Sequence, residues 1–399
     1  MTISPFFLLL ALYSFANFVS LLFGVNDGGM LIEGAFFELS EESLIYAFLL
    51  QHLFLLILWL IYKIFYTARD PVRLQLGTRY GLFILMLQLF FLAYNQIQGV
   101  NVAGVESHGG GALDYLFILL APDILFVMIA LGLKSGKWFG LNCLVFLVSM
   151  MLRAWMGGIL VVMVLMACRH TPIRVSSRAL LRFSIALVLF SVLLPVLIEA
   201  KWAMRTGLSV SDFVEQMFAV GLGNYGEAVR YVMNRLQHVG HVALMIEHAS
   251  QLHEAYLNGA FIPYWADGLP QMTIYKVMGL DYLRINTYLV NALLGYPDAY
   301  WNTNPGLAGW AALLQERAVM LFLYVIVLLA TVYAFLRRFA DSRYVMLIGC
   351  FSLIYLYHGW IGAFVNFCFY AVLLVFICRV RVLPRRRYVQ SPGYPERRV

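Results

Sequence analysis

The chain has 399 residues, of which 62% are hydrophobic and only 12% are charged, and its mean hydropathy is +0.80. Soluble domains carry about 25% charged residues, so this composition excludes an ordinary soluble protein and indicates an integral membrane protein. The formal net charge of +7 is spread unevenly along the chain, which points to membrane topology and not to nucleic-acid binding.

Long apolar runs recur along the whole chain. A helix needs about 20 apolar residues to cross a bilayer, which leaves room for about ten spans. The predicted spans lie near residues 4–24, 45–65, 79–98, 113–133, 138–152, 154–168, 181–200, 318–336, 344–358 and 361–378. Loops on one side of the membrane collect most of the 28 basic residues, and the positive-inside rule makes that side cytoplasmic.

One long polar segment, residues 201–317, interrupts the apolar pattern and falls on the opposite side; we call it the cap. The expected organisation is residues 1–200 with spans 1–7, the cap, residues 318–378 with spans 8–10, and a basic cytoplasmic tail at 379–399. The predicted fold class is an all-α polytopic membrane protein with one large helical loop. All five cysteines lie in apolar runs outside the cap, so neither a disulfide framework nor a cysteine metal site is expected.

The cap concentrates the residues that can carry chemistry. We predict an amphipathic helix over residues 228–257, whose polar stripe holds Arg230, His241 and His248. A guanidinium and two imidazoles on one face can bind an anion and take a proton from a hydroxyl, since imidazole titrates near neutral pH. The alternative is the solvated face of a helix on the membrane surface. His238 and His241 have a zinc-compatible spacing, but no third ligand stands at a recognisable distance, so no metal is predicted.

Outside the cap, Arg153 lies where two short predicted spans meet, and small residues follow it. A guanidinium at that depth is costly without an anionic partner, and we expect a lipid-linked phosphate there. The alternatives are an arginine that reaches the headgroups or an ion pair with a carboxylate such as Asp123. Asp123 and His52 lie inside predicted spans, where they either act functionally or pair with each other. His358 is interpreted as an interfacial histidine in the turn of the last hairpin.

Three features resemble, in matching order, the O-antigen polymerases of the Wzy type, within the wider group that includes O-antigen ligases. They are the arginine hairpin at 153–158, a large external segment with Gly-Ala-Phe-Ile-Pro at 259–263, and Asn-Thr-Asn-Pro-Gly-Leu-Ala-Gly-Trp at 302–310 leading into a span. The similarity covers roughly residues 138–336. It implies a GT-C-like membrane fold in the bacterial inner membrane, with the active side in the periplasm.

The resemblance also implies a reaction, in which a growing glycan passes from undecaprenyl pyrophosphate to the non-reducing end of another lipid-linked repeat unit. It implies no metal and no cofactor, and inversion at the donor sugar is our hypothesis. The expected partners are the lipid-linked oligosaccharide and the membrane, with a chain-length regulator and a flippase as candidate partners and no nucleic acid. A departing diphosphate carries negative charge in a poorly solvated place, so the site needs fixed cations.

These requirements assign roles to individual residues. We expect Arg153, with Arg230 or Arg235, to bind the donor diphosphate, and His248 or His241 to act as the base. Tyr264, Trp265 and Trp301 are expected to stack on sugar faces, and Arg284, Arg317 and Asn304 to make further substrate contacts. The alternative for the aromatic residues is an interfacial belt. Three other functions stay open: an O-antigen ligase acting on lipid A core, a membrane-bound O-acyltransferase using His358, and a lipid-oligosaccharide flippase.

Overall fold

The computed structural model describes residues 2–67, 74–102, 111–171, 173–174, 176–206, 225–280, 283–296 and 303–380. Regular structure in these residues is almost entirely helical, and a helix covers each predicted span. The first helices are α1 (Pro5–Asp27), α2 (Glu41–Phe65), α3 (Thr78–Gln98), α4 (Ala112–Leu120), α5 (Pro122–Gly132), α6 (Gly136–Leu152), α7 (Gly157–Arg169) and α8 (Ser177–Thr206).

The cap and the last spans complete the helical structure. The cap helices are α9 (Tyr225–Leu236), α10 (Val239–Glu247), α11 (Ala249–Leu257), α12 (Leu269–Val277), α13 (Ile285–Ala292) and α14 (Gly306–Leu314), with 3-10 turns at Tyr264–Ala266 and Gln315–Arg317. The remaining helices are α15 (Ala318–Phe339), α16 (Ser342–Phe351), a π-helical turn at Ser352–Leu356, and α17 (Ile361–Val380).

Six helical stretches in the described part of the chain are long and apolar enough to cross a membrane. They are α1, α2, α3, the α4–α5 pair, α14 with α15, and α17. Three more stretches, α6, α7 and α16 with its π-helical turn, are apolar but shorter. The all-helical, multi-pass membrane class is therefore confirmed, while the count of ten spans and the GT-C-like arrangement stay predictions.

The span predicted at residues 113–133 consists of two helices. Ala121 has a φ of 41°, and Pro122 begins α5. Proline has no backbone N–H and fits the first position of a helix, so the chain restarts a helix there instead of continuing one. Asp123 follows in the first turn of α5. The break therefore places the Asp123 carboxylate at the N-terminal end of α5.

The prediction of one amphipathic helix over residues 228–257 is wrong, because α9, α10 and α11 replace it, with breaks near His238 and at His248. The first break has a tertiary cause. The backbone N–H of His238 donates to the side chain of Asn17 on α1, and the Gln237 side chain accepts from the N–H of Gly240. These side chains satisfy donors at the start of α10, as helix caps do.

Helix α10 lies inside the molecule, where it packs on α1, α2 and α14. Val239, Val242 and Ala243 are fully buried. A β-hairpin covers its first turn, with strands β2 (Gly29–Ile32) and β3 (Ala35–Glu38), and a shorter ladder pairs β1 (Thr2–Ile3) with β4 (Ile173–Arg174). The cap is thus inserted into the membrane helices by way of α10.

The start of α14 docks on the turn that precedes α17. The N–H groups of Gly306 and Leu307 donate to the carbonyls of His358 and Tyr357, at 3.2 and 3.1 Å. The approach is close enough that a Cβ at Gly359 would lie 2.6 Å from the Gly306 nitrogen. Gly359 also has a φ of +82°, a conformation that other residues adopt at a cost.

We expect Gly359→Ala to destabilise the protein by about 1–3 kcal/mol, because it adds both backbone strain and a clash with the Gly306 backbone. The melting temperature of the purified protein in detergent measures the effect. Gly140→Ala on α6 is the matched control, since a Cβ there meets nothing within 4 Å. Equal melting temperatures for the two variants would contradict the proposed role of this contact.

Candidate active site at the cap–membrane interface

Three histidines meet where the cap enters the membrane helices. The ring centroid of His238 lies 4.3 Å from that of His358 and 5.3 Å from that of His241. His238 precedes α10, His241 lies in its first turn, and His358 lies in the turn before α17. Tyr13 of α1 packs its ring at 4.9 Å from His358. His238 and His358 are buried, so the cluster belongs to the interior.

The side-chain amide of Asn17 holds this cluster together. Its nitrogen donates to the Tyr13 carbonyl at 2.8 Å and to the Tyr357 hydroxyl, and its oxygen accepts from the His238 N–H at 3.1 Å. The amide is completely buried and links three separate parts of the chain. A buried amide with satisfied hydrogen bonds specifies one arrangement, because any other leaves polar groups unpaired.

One carboxylate faces the cluster from the β2–β3 turn. Oxygen atoms of Glu33 lie 3.7 Å from His241 Nε2 and 3.5 Å from the Arg235 guanidinium. Glu33 has a φ of +46° in a two-residue turn with Gly34. Such turns favour Asn, Asp or Gly at both positions. Glu33 therefore keeps its carboxylate between His241 and Arg235 at the expense of backbone strain.

Burial and neighbouring charges shift the protonation of these groups. Burial raises the pKa of Glu33, but the contacts with His241 and Arg235 outweigh it, and the net pKa is lowered. Burial, together with the neighbouring imidazoles and Arg235, holds the pKa of His238 well below its ordinary value. Burial and the charges of His241 and Arg235 lower the pKa of His358 to about 3. Near neutral pH, Glu33 is thus ionised and both histidines are neutral.

Several buried polar atoms around the cluster have no hydrogen-bond partner among the described residues. They are Nδ1 of His238, Nδ1 of His241, both amide atoms of Gln51, and Oγ1 of Thr303. A small, mainly apolar pocket lies beside them, and His241, Thr303 and Asn304 are the polar residues along its wall. Unpaired buried polar groups each cost about 1–3 kcal/mol, and such a concentration is typical of a functional site.

Two cations, Arg235 and Lys201, lie between this pocket and the arginine hairpin. Lys201, buried near the end of α8, donates to the Tyr231 hydroxyl and lies 4.6 Å from the ring centre of Trp202. The Arg235 guanidinium lies 5.4 Å from the Tyr231 ring. Burial raises the pKa of Tyr231, but these two cations outweigh it and lower the pKa. Lys201 also lines an apolar groove between α8 and the α6–α7 turn, where Met150, Met151, Ala154, Trp155 and Met156 form the facing wall.

Arg153 occupies a different place from these cations. Its Nη2 lies 2.8 and 3.0 Å from the two carboxylate oxygens of Asp123, and its Nε donates to the Ser149 carbonyl at 3.2 Å. The guanidinium also lies 5.0 Å from the Phe91 ring, and its side chain is 5% exposed. This geometry favours the ion-pair alternative over a phosphate ligand. The alternative in which Asp123 pairs with His52 is wrong, because Asp123 pairs with Arg153 and His52 bonds to the Phe48 carbonyl.

The remaining predicted site residues are dispersed. Arg230 is exposed on α9 without an ion pair among the described residues, Arg284 lies 3.6 Å from Asp267, and Arg317 is exposed in the turn before α15. His248, at the break between α10 and α11, has no side-chain hydrogen bond within the described ranges. Of these four residues, none belongs to the histidine cluster.

The predicted stacking residues also differ in their surroundings. Tyr264 is buried against Trp310 and Tyr324, with ring centroids at 5.8 and 5.4 Å, which favours a packing role. Trp265 is half exposed, and Trp301 lies outside the described residues. Asn304 lines the pocket with His241 and accepts a hydrogen bond from Asn286 at 2.9 Å.

Sequence reasoning missed Glu33, Lys201, Asn17 and Gln51. Two of them had a usable signal: Asn17 and Gln51 are amide residues inside apolar spans, where a polar side chain needs a partner. Lys201 stands next to Trp202 at the end of a span, a weaker signal of a cation–aromatic contact. Glu33 had no sequence signal that linked it to His241.

Comparison of the chain with protein-family models, curated proteins and solved structures finds no match.

We expect Arg153→Met to destabilise the protein on the order of 3 kcal/mol, because Asp123 would keep a poorly solvated charge without its partner. The double variant Arg153→Met with Asp123→Leu should recover much of that loss, since it removes both charges. Thermal unfolding in detergent measures each variant. Arg284→Met is the control, because the Arg284 side chain is largely exposed and lies 3.6 Å from Asp267, so that the pair contributes at most about 1 kcal/mol. A loss in the double variant equal to the sum of the two single losses would contradict the coupling.

Acidification is also expected to destabilise the protein. Folding lowers the pKa values of both His238 and His358 from their ordinary value of 6.5, to about 3 for His358. Below pH 6.5 the unfolded chain therefore binds more protons than the folded one. The free energy of unfolding should therefore fall as the pH drops below 6.5, by up to about 1.4 kcal/mol per pH unit for each histidine. Melting temperatures at pH 7 and pH 5 measure the effect.

His358→Gln should make this pH dependence shallower, because one of the two titrating imidazoles is gone. His253→Gln should leave it as in the unmodified protein, since His253 bonds to the Leu313 carbonyl outside the cluster. The same pH dependence in all three proteins would refute the assignment to the buried histidines.

Proposed function

We propose that the chain is a membrane glycosyltransferase of the repeat-unit polymerase type. It transfers a glycan from undecaprenyl pyrophosphate to a sugar hydroxyl of another lipid-linked repeat unit, in the bacterial inner membrane with its active side in the periplasm. One observation carries the proposal: the histidine cluster and Glu33 lie beside the two cations Arg235 and Lys201, at the boundary between cap and membrane helices. The resemblance to O-antigen polymerases supports the same reaction.

The reaction exchanges one bond for another at the anomeric carbon of the donor sugar. The bond to the diphosphate oxygen breaks, the acceptor oxygen bonds to the same carbon, and the acceptor hydroxyl loses its proton. Negative charge builds up on the departing diphosphate, so fixed cations stabilise the transition state. Lys201 and Arg235 fit this role because both lie along the path from the apolar groove to the histidine cluster. A polyprenyl chain in the groove brings its diphosphate to Lys201.

His241 fits the role of general base. Glu33 lies opposite its Nε2 and favours a proton on that nitrogen, which leaves Nδ1 as the acceptor. Nδ1 is buried and has no hydrogen-bond partner among the described residues, and His241 lines the pocket with Thr303 and Asn304. A carboxylate that orients an imidazole in this way is a recurring arrangement for proton transfer from hydroxyl groups. His248 stays a second candidate from the sequence, but it lies outside this pocket's lining.

Arg153 takes a positioning role in this proposal. Its pair with Asp123 joins the end of α6 to the start of α5, and the hairpin that follows lines the groove next to Lys201. Loss of the ion pair would move that wall of the groove. Arg153 therefore acts on the donor through the shape of the groove and not through contact with the diphosphate.

We expect His241→Gln to lower kcat about 10²–10⁴-fold, because the base is lost while the cations remain. The substrate for the assay is the lipid-linked single repeat unit that accumulates in source cells lacking this gene, and the full-length protein is reconstituted in liposomes with it. The length of the glycan chains on the lipid is measured by gel electrophoresis and mass spectrometry. Arg235→Met and Lys201→Met should both reduce elongation, because they remove positive charge from the diphosphate path.

His253→Gln is the matched control and should give chains of unchanged length, because this histidine bonds to the Leu313 carbonyl away from the pocket. Full elongation by His241→Gln would remove His241 from the mechanism. The products also separate the alternative functions. Glycan on lipid A core would indicate a ligase, acylated sugar would indicate an acyltransferase, and transport of the repeat unit without elongation would indicate a flippase. Each of these three products would overturn the polymerase proposal.

A further inference from the structure

The cap helix α12 is attached at both ends to membrane helices. At its start, the Leu269 N–H donates to the Asn366 side chain, and Asp267 just before it accepts from the Gly362 N–H at 3.0 Å. At its end, Lys276 donates to the Tyr115 hydroxyl at 3.1 Å. Gly362 and Asn366 lie in the first two turns of α17, and Tyr115 lies in the first turn of α4.

These attachments determine the direction of the helix. The first turns of α17 and of α4 follow loops that are predicted on the cap side of the membrane, so both attachment points lie at that boundary. A helix tied at both ends to the same boundary runs along the membrane plane. Lys276 places its ammonium 4.4 Å from the ring centre of Tyr115, and Lys and Tyr side chains are both favoured at the level of the lipid headgroups.

One face of α12 is apolar and has no protein partner in the described structure. Ile274, Val277 and Met278 follow the i, i+3, i+4 spacing of a single helix face, and Val277 is 82% exposed. Leu280 extends the exposed apolar surface just beyond the helix. Contiguous exposed apolar surface of this kind marks a contact with another apolar phase.

The neighbouring surface identifies that phase. On α4, Leu116, Ile118 and Leu119 are exposed, with Leu119 at 62%, and α4 belongs to a stretch that is long and apolar enough to cross the membrane. These side chains face lipid in such a span. The contact between Lys276 and Tyr115 makes the exposed face of α12 continuous with that lipid-facing surface.

We propose that α12 is an interfacial helix that inserts Ile274 and Val277, together with Met278 directly after it, into the acyl chains of the leaflet on the cap side. Its partner is therefore the lipid surface, and the helix connects α4 and α17 along that surface. Short amphipathic helices bind membranes in this way through one buried apolar face. The inference is independent of the glycosyltransferase proposal, because it rests on none of the residues of the histidine cluster.

The test measures the depth of single residues in lipid nanodiscs. All five cysteines are replaced by alanine, a single cysteine is introduced by Val277→Cys, and a nitroxide label is attached to it. Collisions with oxygen, which partitions into lipid, and with a water-soluble nickel chelate are then compared. Leu119→Cys is the lipid-facing reference. Leu257→Cys at the end of α11 is the control in the same cap, and its side chain is also exposed, at 51%.

We expect the ratio of oxygen to nickel collisions at position 277 to be several times that at position 257 and close to that at position 119. An equal ratio at 277 and 257 would overturn the proposal, because position 277 would then face water. Low collision rates with both reagents at 277 would also overturn it in favour of a protein partner.

If the cysteine-free protein does not fold, a second measurement tests the same contact in the native background. The native cysteines are buried or half-buried, so Val277→Cys and Leu257→Cys can each be tested in the native background with a water-soluble maleimide. Labelling at 277 should be several times slower than at 257 in nanodiscs. Equal labelling rates would again overturn the membrane contact.

Discussion

The hydrogen bonds of one buried amide, Asn17, are the interaction on which the candidate site depends. Apolar packing between α10 and the membrane helices is strong but non-directional, so it does not by itself set the rotation or height of the cap. Asn17 does so, because its amide contacts α1, the start of α10 and Tyr357 before α17 at once. A shift of the cap would leave these buried groups unpaired, at about 1–3 kcal/mol each. The histidine cluster is therefore assembled by α1, although none of its histidines belongs to that helix.

Glu33 shows how local strain and electrostatics are combined at the same place. A glycine in its position would relax the positive φ of the turn. It would also remove the carboxylate that faces both His241 and Arg235. Strain of this kind costs on the order of 1–3 kcal/mol and persists only where the surrounding structure maintains it. In this protein the paired strands of the hairpin hold the turn, and the contacts with His241 and Arg235 keep Glu33 ionised.

The sequence predicted most of the helices, because length and hydropathy of a membrane segment are local properties. Pro122 was visible in the sequence, but the break it causes was missed because the apolar run continues on both sides. The break at His238 depends on Asn17, which lies 221 positions away in the chain, so no local pattern contains it. Glu33 and Arg235 are likewise 202 positions apart. Arg153 had two possible anionic partners in the sequence, and only the spatial proximity of Asp123 distinguishes them.

The contrast between two ion pairs indicates which arginine is suited to bind an anionic substrate. Arg153 is buried and pairs with both oxygens of Asp123 at 2.8 and 3.0 Å. Withdrawing it would leave a carboxylate unpaired in poorly solvated surroundings, which opposes any exchange of partner. Arg235 has a side chain that is 52% exposed, and it reaches Glu33 only at 3.5 Å. Because Glu33 also contacts His241, Arg235 can exchange it for a diphosphate without leaving the carboxylate unpaired. When Arg235 turns to a diphosphate, Glu33 remains opposite His241 Nε2 and continues to orient the imidazole. Donor binding and proton transfer are in this way coupled through a single carboxylate.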